Sequence, residues 1–539
     1  MRVKHFVRGL VLSGVVLALG GCQKQAPKSQ ASTSSELPQA QVKSDPDLQR
    51  NFYEIFVGSF YDSNEDGIGD LAGITEKLDY LNTGDPDSEQ DLKVNGLWLT
   101  PIMPSPSYHK YDVTDYYDID PAFGNLEDFE TLVTEAKQRG IAVIMDLVIN
   151  HTASDHPWFK KALASFEADA TAEEQTYREY YVFKETNESG FTPVPGHEEW
   201  AYESRFWSGM PDLNLDNPAV KEELAKITAF WLEKGIAGFR LDATSHYFEG
   251  DTAKNIEFLN WLEETVKGQK ADAYLVAEAW EEERVITEMY ASGIDSLFNF
   301  RFSQADRIGD ITEAVQFGNG RSLGEAVVEY NEAVKKENPH ALDAVFLSNH
   351  DNGRSAEVLE TPAEKKMAAS TYLLLPGNPF IYYGEEIGLT GVGIDEDKRL
   401  PMLFTEDGKG QPAPPENATQ EPKADGGSVE AQLQAKDSLL AWYQAVLRIK
   451  NDFPVIGRGQ VTATEAEDQS SLCVLTYHYD QKTATVIHNF DQEDTVTWQL
   501  PKELATKKIQ AVLSIGGEKA KLTGGQLVIP PFTTVILDE

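Results

Sequence analysis

At 539 residues, 41% of them hydrophobic and 25% charged, the chain has globular proportions and room for several ordinary domains or one large barrel with attachments. That balance excludes a fibrous repeat or a wholly disordered chain. Acidic residues outnumber basic ones 88 to 47, a formal charge of -41, and such a surface repels phosphate backbones, so no nucleic acid is expected as a partner.

The first segment, residues 1–21, carries Arg2, Lys4 and Arg8, an apolar run from Leu10 to Leu19, and then Gly20-Gly21 before Cys22. The apolar run is too short to span a bilayer, and the pattern is that of a bacterial lipoprotein signal peptide cleaved ahead of a lipidated Cys22. The chain is therefore expected to be exported, lipid-anchored to a bacterial membrane and outward-facing. Cys473, the only other cysteine, is then left without a disulfide partner. Residues 22–47, rich in Gln, Ser, Pro, Ala and Lys, read as a flexible tether.

Beyond the tether, short apolar or aromatic runs alternate with amphipathic stretches, the pattern of an α/β fold with parallel strands. Eight such runs occur, at 51–60, 95–102, 141–149, 237–243, 273–280, 295–302, 344–351 and 379–388. Eight is the number that closes a (β/α)8 TIM barrel, here expected over residues 48–452. Asn125 is placed to cap one intervening helix, with Leu126, Phe129, Leu132, Val133 and Ala136 on its apolar face. Asn217-Pro218 opens another whose stripe is Val220, Leu224, Ile227 and Trp231. The gap between the third and fourth strands is far longer than one helix needs, so an inserted domain is expected at 151–210. A polar stretch at 405–432 reads as an exposed loop, followed by a last helix at about 434–451. Alternating patterns without helical period then predict an antiparallel β-sandwich domain at 453–539.

Barrels of this kind gather their reactive groups at the carboxyl ends of the strands. Those ends carry Asp146, Asn150 and His151 on the third strand, Arg240 and Asp242 on the fourth with His246 following, Glu278 on the fifth, and His350 and Asp351 on the seventh. Converging carboxylates suit acetal hydrolysis with retention, which needs an ionised nucleophile and a protonated acid about 5 to 5.5 Å apart. Asp242 beside Arg240 is expected to stay ionised, whereas Glu278 between Ala277, Ala279 and Trp280 sits in apolar company that favours its proton. Asp351 would hold sugar hydroxyls.

The segments DLVINH (146–151), GFRLDATSH (238–246), LVAEAW (275–280) and FLSNHD (346–351) resemble the conserved stretches of the α-amylase family, glycoside hydrolase family 13, and the likeness runs from about residue 48 to the end. The resemblance implies Asp242 as nucleophile, Glu278 as acid and base, and Asp351 as transition-state stabiliser. It further implies that Tyr111, His151, Arg240 and His350 contact the sugar at the cleavage point. MPDLN (210–214) is similar to a group intermediate between oligo-1,6-glucosidases and neopullulanases, and with Ala243-Thr244 after the nucleophile it favours α-1,4 linkages in an α-glucan or maltooligosaccharide. An oligo-α-glucosidase or transglycosylase using the same carboxylates is the nearest alternative. A sugar-binding lipoprotein with a degenerate barrel is disfavoured, because all three acids are present.

In DSNEDGIGD (62–70), Asp62, Asn64, Asp66, the Ile68 carbonyl and Asp70 alternate around Gly67 with the oxygen spacing of a Ca²⁺ loop. Position twelve is Gly73 and not Glu, which excludes an EF-hand proper. The resemblance supports one structural Ca²⁺ here and leaves open a second site using Asn150 and Asp212. Trp158, Trp200, Trp207 and Trp280 are candidates for stacking on sugars or for the core, and the protein is expected to be monomeric.

Overall fold

The computed structural model describes residues 47–186, 188–303 and 308–538. The signal segment, Cys22 and nearly all of the tether lie outside the described residues.

The eight apolar runs all become parallel strands: β1 (Phe52–Ile55), β2 (Gly96–Leu99), β3 (Ala142–Leu147), β4 (Gly238–Leu241), β5 (Tyr274–Ala277), β6 (Ser296–Leu297), β7 (Ala344–Phe346) and β8 (Asn378–Tyr382). They lie in the order β7-β8-β1-β2-β3-β4-β5-β6, and a parallel bridge from Phe298 to Ala344 joins the two ends into a barrel. Burial on both faces explains the near-continuous apolar runs. Register does chemical work here as well, because Asp146 on β3 is the direct neighbour of Arg240 on β4.

The helix Leu126–Gln138 starts where Asn125 accepts the backbone N–H groups of Glu127 and Asp128, and Asp128 returns a bond to the Asn125 N–H. Asn217 caps Pro218–Glu233 in the same manner, through the N–H of Ala219. Within that second helix Trp231 is fully buried, packs edge-on against Phe129, and donates its ring N–H to the Tyr116 carbonyl at 2.9 Å. One side chain thus joins two barrel helices to the loop after β2.

Between β3 and β4 the chain leaves the barrel for two helices, Pro157–Ala164 and Ala172–Arg178, and a three-stranded antiparallel sheet, Phe183–Lys184, Phe191–Val194 and His197–Glu203. Its centre is aromatic, with Phe159 meeting Tyr181 and Tyr202 edge to face. The returning segment closes on the barrel mouth through an isolated antiparallel bridge from Asp212 to His151. The expected helix at 434–451 differs in detail: a short helix Val429–Gln434 comes first, and Ser438 caps a separate one, Leu439–Asp452. The break falls at Ala435, where the backbone is extended.

Beyond Asp452 a five-stranded and a three-stranded antiparallel sheet face each other over their own apolar core of Leu472, Val474, Ile487, Trp498, Leu527 and Val535. The barrel helix Gly320–Glu337 packs on this unit so closely that a Cβ on Gly320 would lie 2.3 Å from the Ser471 carbonyl. Cys473 is buried beside it without a disulfide, and burial pushes its thiol up to about 12.

Replacing Trp231 by Ala leaves a cavity and an unpaired carbonyl at the helix junction, and is expected to destabilise the protein by about 3–5 kcal/mol, read as a large drop in apparent Tm. Trp231→Phe, which loses the N–H and part of the indole volume but keeps an aromatic ring in the site, should cost visibly less; equal losses would show that the retained volume plays no part.

Candidate active site

Each strand end delivers its side chain to the same mouth, and one guanidinium organises them. Arg240 is 1% exposed, and its Nη1 donates to Asp146 Oδ1 and to Asp242 Oδ1, both at 2.6 Å. Its Nη2 pairs with Glu278 Oε2 at 3.0 Å. Asp146 is further fixed by the Trp98 ring N–H at 3.0 Å and the Tyr111 hydroxyl at 3.2 Å. The Ala243 N–H reaches Glu278 Oε2 at 3.2 Å because Ala243 turns left-handed immediately after Asp242.

Asp351 lies on the opposite flank, with its side chain 31% exposed, more open than Asp242 or Glu278. His350 Nε2 approaches Asp351 Oδ2 at 3.1 Å and the Tyr111 oxygen at 2.7 Å, while His350 Nδ1 faces Glu54 Oε1 at 2.6 Å. The Tyr111 ring lies nearly parallel to the imidazole, 5.4 Å away. Arg399 completes the flank, donating to Asp351 Oδ1 at 2.8 Å, to the His350 carbonyl at 3.0 Å and to the Tyr108 hydroxyl at 2.7 Å.

Burial pushes the carboxyls of Asp242 and Glu278 above the ordinary range, with Arg240 opposing in both cases. The positive neighbour expected to keep Asp242 ionised is thus present but does not cancel desolvation. Burial likewise pushes Asp146 up to about 7 against the pull of Arg240. Asp351 behaves oppositely: burial raises it, yet His350, Arg399 and Arg240 together hold it well below the usual carboxylate range. Burial alone favours a neutral His350, but Asp351 and Glu54 push it up to about 10, so its ring is charged at neutral pH. His151 is pushed down to about 4 by burial and stays neutral.

The structure brings together Asp242, Glu278, Asp351, Tyr111, Arg240 and His350 as the sequence suggests. It also sorts them. Arg240, His151 and His350 are at most 2% exposed and turn most of their polar atoms to protein partners, the Arg240 Nε being the exception. His151, for instance, has Nε2 on the Tyr111 carbonyl at 3.1 Å and Nδ1 beside the Asn150 amide at 3.3 Å. Of the tryptophans, Trp158 packs against Tyr116, His156 and Tyr180, and Trp200 against Phe166 and Arg178, so both serve the inserted unit. Trp280 stacks on Phe300, while Trp207 is 56% exposed. Glu54, Trp98, Tyr108 and Arg399 were not identified from the sequence. Glu54 alone left a trace, as an acid inside an apolar first strand.

In the loop 62–70, Asp62 accepts the N–H groups of Asn64, Glu65 and Gly67, Asn64 that of Asp66, and Asp66 that of Ile68. Asp70 accepts from Ser63 and caps the helix Leu71–Glu76 through Gly73. Gly67, at φ 94°, makes the turn that a residue with a Cβ would resist. Asn150 and Asp212 meet each other at 3.4 Å, and the remaining Asp212 oxygen holds the Arg205 N–H at 3.1 Å. Among the described residues no three His, Cys, Asp or Glu side chains converge as a metal cluster.

A family model described as the α-amylase catalytic domain matches residues 54–459. "Alpha-amylase 3" of Dictyoglomus thermophilum is 38% identical over 501 residues, covering 90% of this chain and 92% of its own. The 4-alpha-glucanotransferase of Thermotoga maritima is 31% identical over 460 residues, 82% of this chain and 96% of its own. Among solved structures, Eubacterium rectale Amy13B shares 40% identity at a TM-score of 0.86, covering 92% of this chain and 97% of that one.

A charged His350 predicts a distinctive titration. In histidine-ring NMR between about pH 5 and 9, its signals should keep the protonated form throughout. Glu54→Gln, by removing one of the two carboxylates, should bring the transition down into that range. A ring that titrates near 6.5 in the parent protein would refute the charged pairing.

Proposed function

The chain belongs to the α-amylase family of glycoside hydrolases, and on that premise we propose that it is a retaining hydrolase cleaving α-1,4-glucosidic bonds of starch or maltooligosaccharides by double displacement. The observation that carries this reading is the single Arg240 guanidinium bound to both Asp242 and Glu278. A shared cation keeps two carboxyls close, as retention requires. Asp242, held by the shorter contact, is the nucleophile: it attacks the anomeric carbon as Glu278 gives its proton to the departing glycosidic oxygen. The resulting glycosyl ester on Asp242 is then cleaved by water, whose proton returns to Glu278.

The proton inventory supports these roles. Five carboxyls, Glu54, Asp146, Asp242, Glu278 and Asp351, share three cations, Arg240, His350 and Arg399. Desolvated negative charge in excess is relieved by retaining protons, and Glu278, whose nearest cation lies farther away than that of any other of the five, is the carboxyl assigned one. Asp351, ionised and more open than Asp242 or Glu278, is placed to hold sugar hydroxyls, with Tyr111 as the neighbouring platform. Arg240, His350 and His151 orient these groups from behind. The α-1,4 preference rests on MPDLN, on Ala243 and on the amylase among the relatives. A transglycosylase acting through the same ester is the second reading, favoured by the glucanotransferase relative.

We also propose a structural Ca²⁺ at residues 62–70. The Asp62, Asn64, Asp66 and Asp70 side chains and the Ile68 carbonyl suit a hard cation; the turn bonds leave lone pairs on Asp62 and Asp66, while Asp70, which already accepts from Ser63 and Gly73, would exchange part of those bonds for the ion. The ion would brace the loop against the polar stretch that it meets through the Asp62 N–H to Gly410 and the Ala413 N–H to Gly67. Export and lipid anchoring at Cys22 remain part of the proposal. No helix among the described residues is long and apolar enough to cross a membrane.

Proton NMR of a long linear maltooligosaccharide during cleavage tests the reaction. Early release of the α-anomer with mixed mid-length fragments is expected, and Asp242→Asn should lower turnover roughly ten-thousandfold while oligosaccharide binding persists. First release of the β-anomer, or an active Asp242→Asn enzyme, would overturn the mechanism. Chelation with EDTA is expected to lower the apparent Tm by several degrees, with recovery on adding Ca²⁺ and not Mg²⁺; unchanged melting would remove the ion.

A further inference from the structure

We propose that Phe206 is the wall of a leaving-group subsite, the surface on which the glucosyl unit beyond the scissile bond rests, and that Trp207 extends it along the same turn. The inference deepens the α-glucan reading above and rests on it.

The acid that protonates the departing oxygen must stand beside the departing sugar, so the leaving group lies on the flank of Glu278. The segment after Asp242 is fastened to that flank. Besides the Ala243 N–H on the Glu278 carboxyl, the Thr244 N–H and hydroxyl both donate to the Glu278 carbonyl, at 2.8 and 2.6 Å. His246 ends the segment, and its ring meets Phe206 with centroids 5.3 Å apart. On its other side Phe206 meets His151, at the end of β3, at 5.2 Å. Phe206 therefore spans the rim between the end of β3 and the segment tied to the acid.

Exposure and rigidity point to a ligand. Phe206 is 48% and Trp207 56% exposed, and among the described residues they are the one adjacent pair of large hydrophobic side chains left open to solvent. Isolated exposed hydrophobics are ordinary, whereas two neighbouring aromatics at the rim of a polar cleft mark a contact surface. Nor is the turn loose. The Tyr202 hydroxyl holds the Ser208 carbonyl at 2.8 Å, the Ser154 N–H holds that of Gly209 at 2.8 Å, and the Met210 N–H closes on Trp207 at 2.9 Å. The Trp207 indole packs on bare backbone at Gly209, where a Cβ would lie 2.2 Å from the ring. Exposed aromatics fixed in advance lose little conformational freedom on binding, and an aromatic face suits the apolar C–H face of a glucose ring.

The test compares two substrates that share a glycone and differ in the leaving group: a linear maltooligosaccharide, which places sugar on this wall, and α-glucosyl fluoride, which does not. Phe206→Ala is expected to lower kcat/KM on the oligosaccharide about tenfold or more and to leave the fluoride within about twofold, with Phe206→Tyr restoring the oligosaccharide rate. Trp207→Ala should shift the fragment-length distribution. Equal losses on both substrates, or no loss on the oligosaccharide, would overturn the subsite while leaving the hydrolase reading intact. Wild-type turnover of the fluoride without cleavage of the oligosaccharide would remove the α-1,4 reading and the proposed occupant together.

Discussion

A buried guanidinium facing three carboxylates is the constraint on which the active mouth depends. Arg240 cannot leave without stranding Asp146, Asp242 and Glu278 as uncompensated charge in a desolvated pocket, and none of the three can be removed without changing the proton count of the other two. Its position is a matter of register. Because Asp146 is the direct β3 neighbour of Arg240 on β4, the scaffold itself sets one of its two shortest ion pairs, and the two reactive carboxyls share the same cation. The second cationic centre, His350 with Arg399, treats Asp351 oppositely and leaves it ionised and accessible. One mouth thus holds carboxyls of different proton affinity, the division of labour that acid and nucleophile chemistry requires.

The loops around the mouth share the burden of holding it open. Asp212 returns from the inserted unit to bridge His151, and the neighbouring residues carry the aromatic turn of Phe206 and Trp207 to the rim. On the far side Arg354 lies over the rings of Tyr382 and Tyr383 and donates to the Tyr383 carbonyl. That contact ties the loop bearing Asp351 to the strand that precedes Arg399. The catalytic groups sit on strand ends, whereas the groups that shape the cleft sit on loops, which is the division that lets one barrel serve many substrates.

The sequence revealed most where local pattern and chemistry coincide. Asp242, Glu278 and Asp351 each follow an apolar run closely, so a strand-end reading finds them without knowing the barrel order. Asn125 and Asn217 announce their helices by side chains that act within three residues. What stayed hidden is what closure creates. Glu54 and His350 are 296 positions apart and meet because β1, β7 and β8 are neighbours in the closed sheet. Arg399 follows a short polar helix with nothing local to set it apart from a surface arginine. The burial of Arg240, His151 and His350 behind the more open Asp351 and Tyr111 also escaped the sequence, since residue type at a strand end does not state depth. The short helix Val429–Gln434 was missed because it begins inside a stretch whose composition reads as a polar loop.

The pairing of β1 with β8 sets Phe52 beside Phe380 and Glu54 beside Tyr382. A nascent chain therefore carries its first strand for more than three hundred residues before the partner exists. Throughout synthesis β1 keeps one unpaired edge, and apolar side chains destined for the barrel interior stay open to whatever they meet. Such long-range closure is slow to form, so the interval before the last strand arrives is when this chain is most exposed to aggregation and most in need of a chaperone.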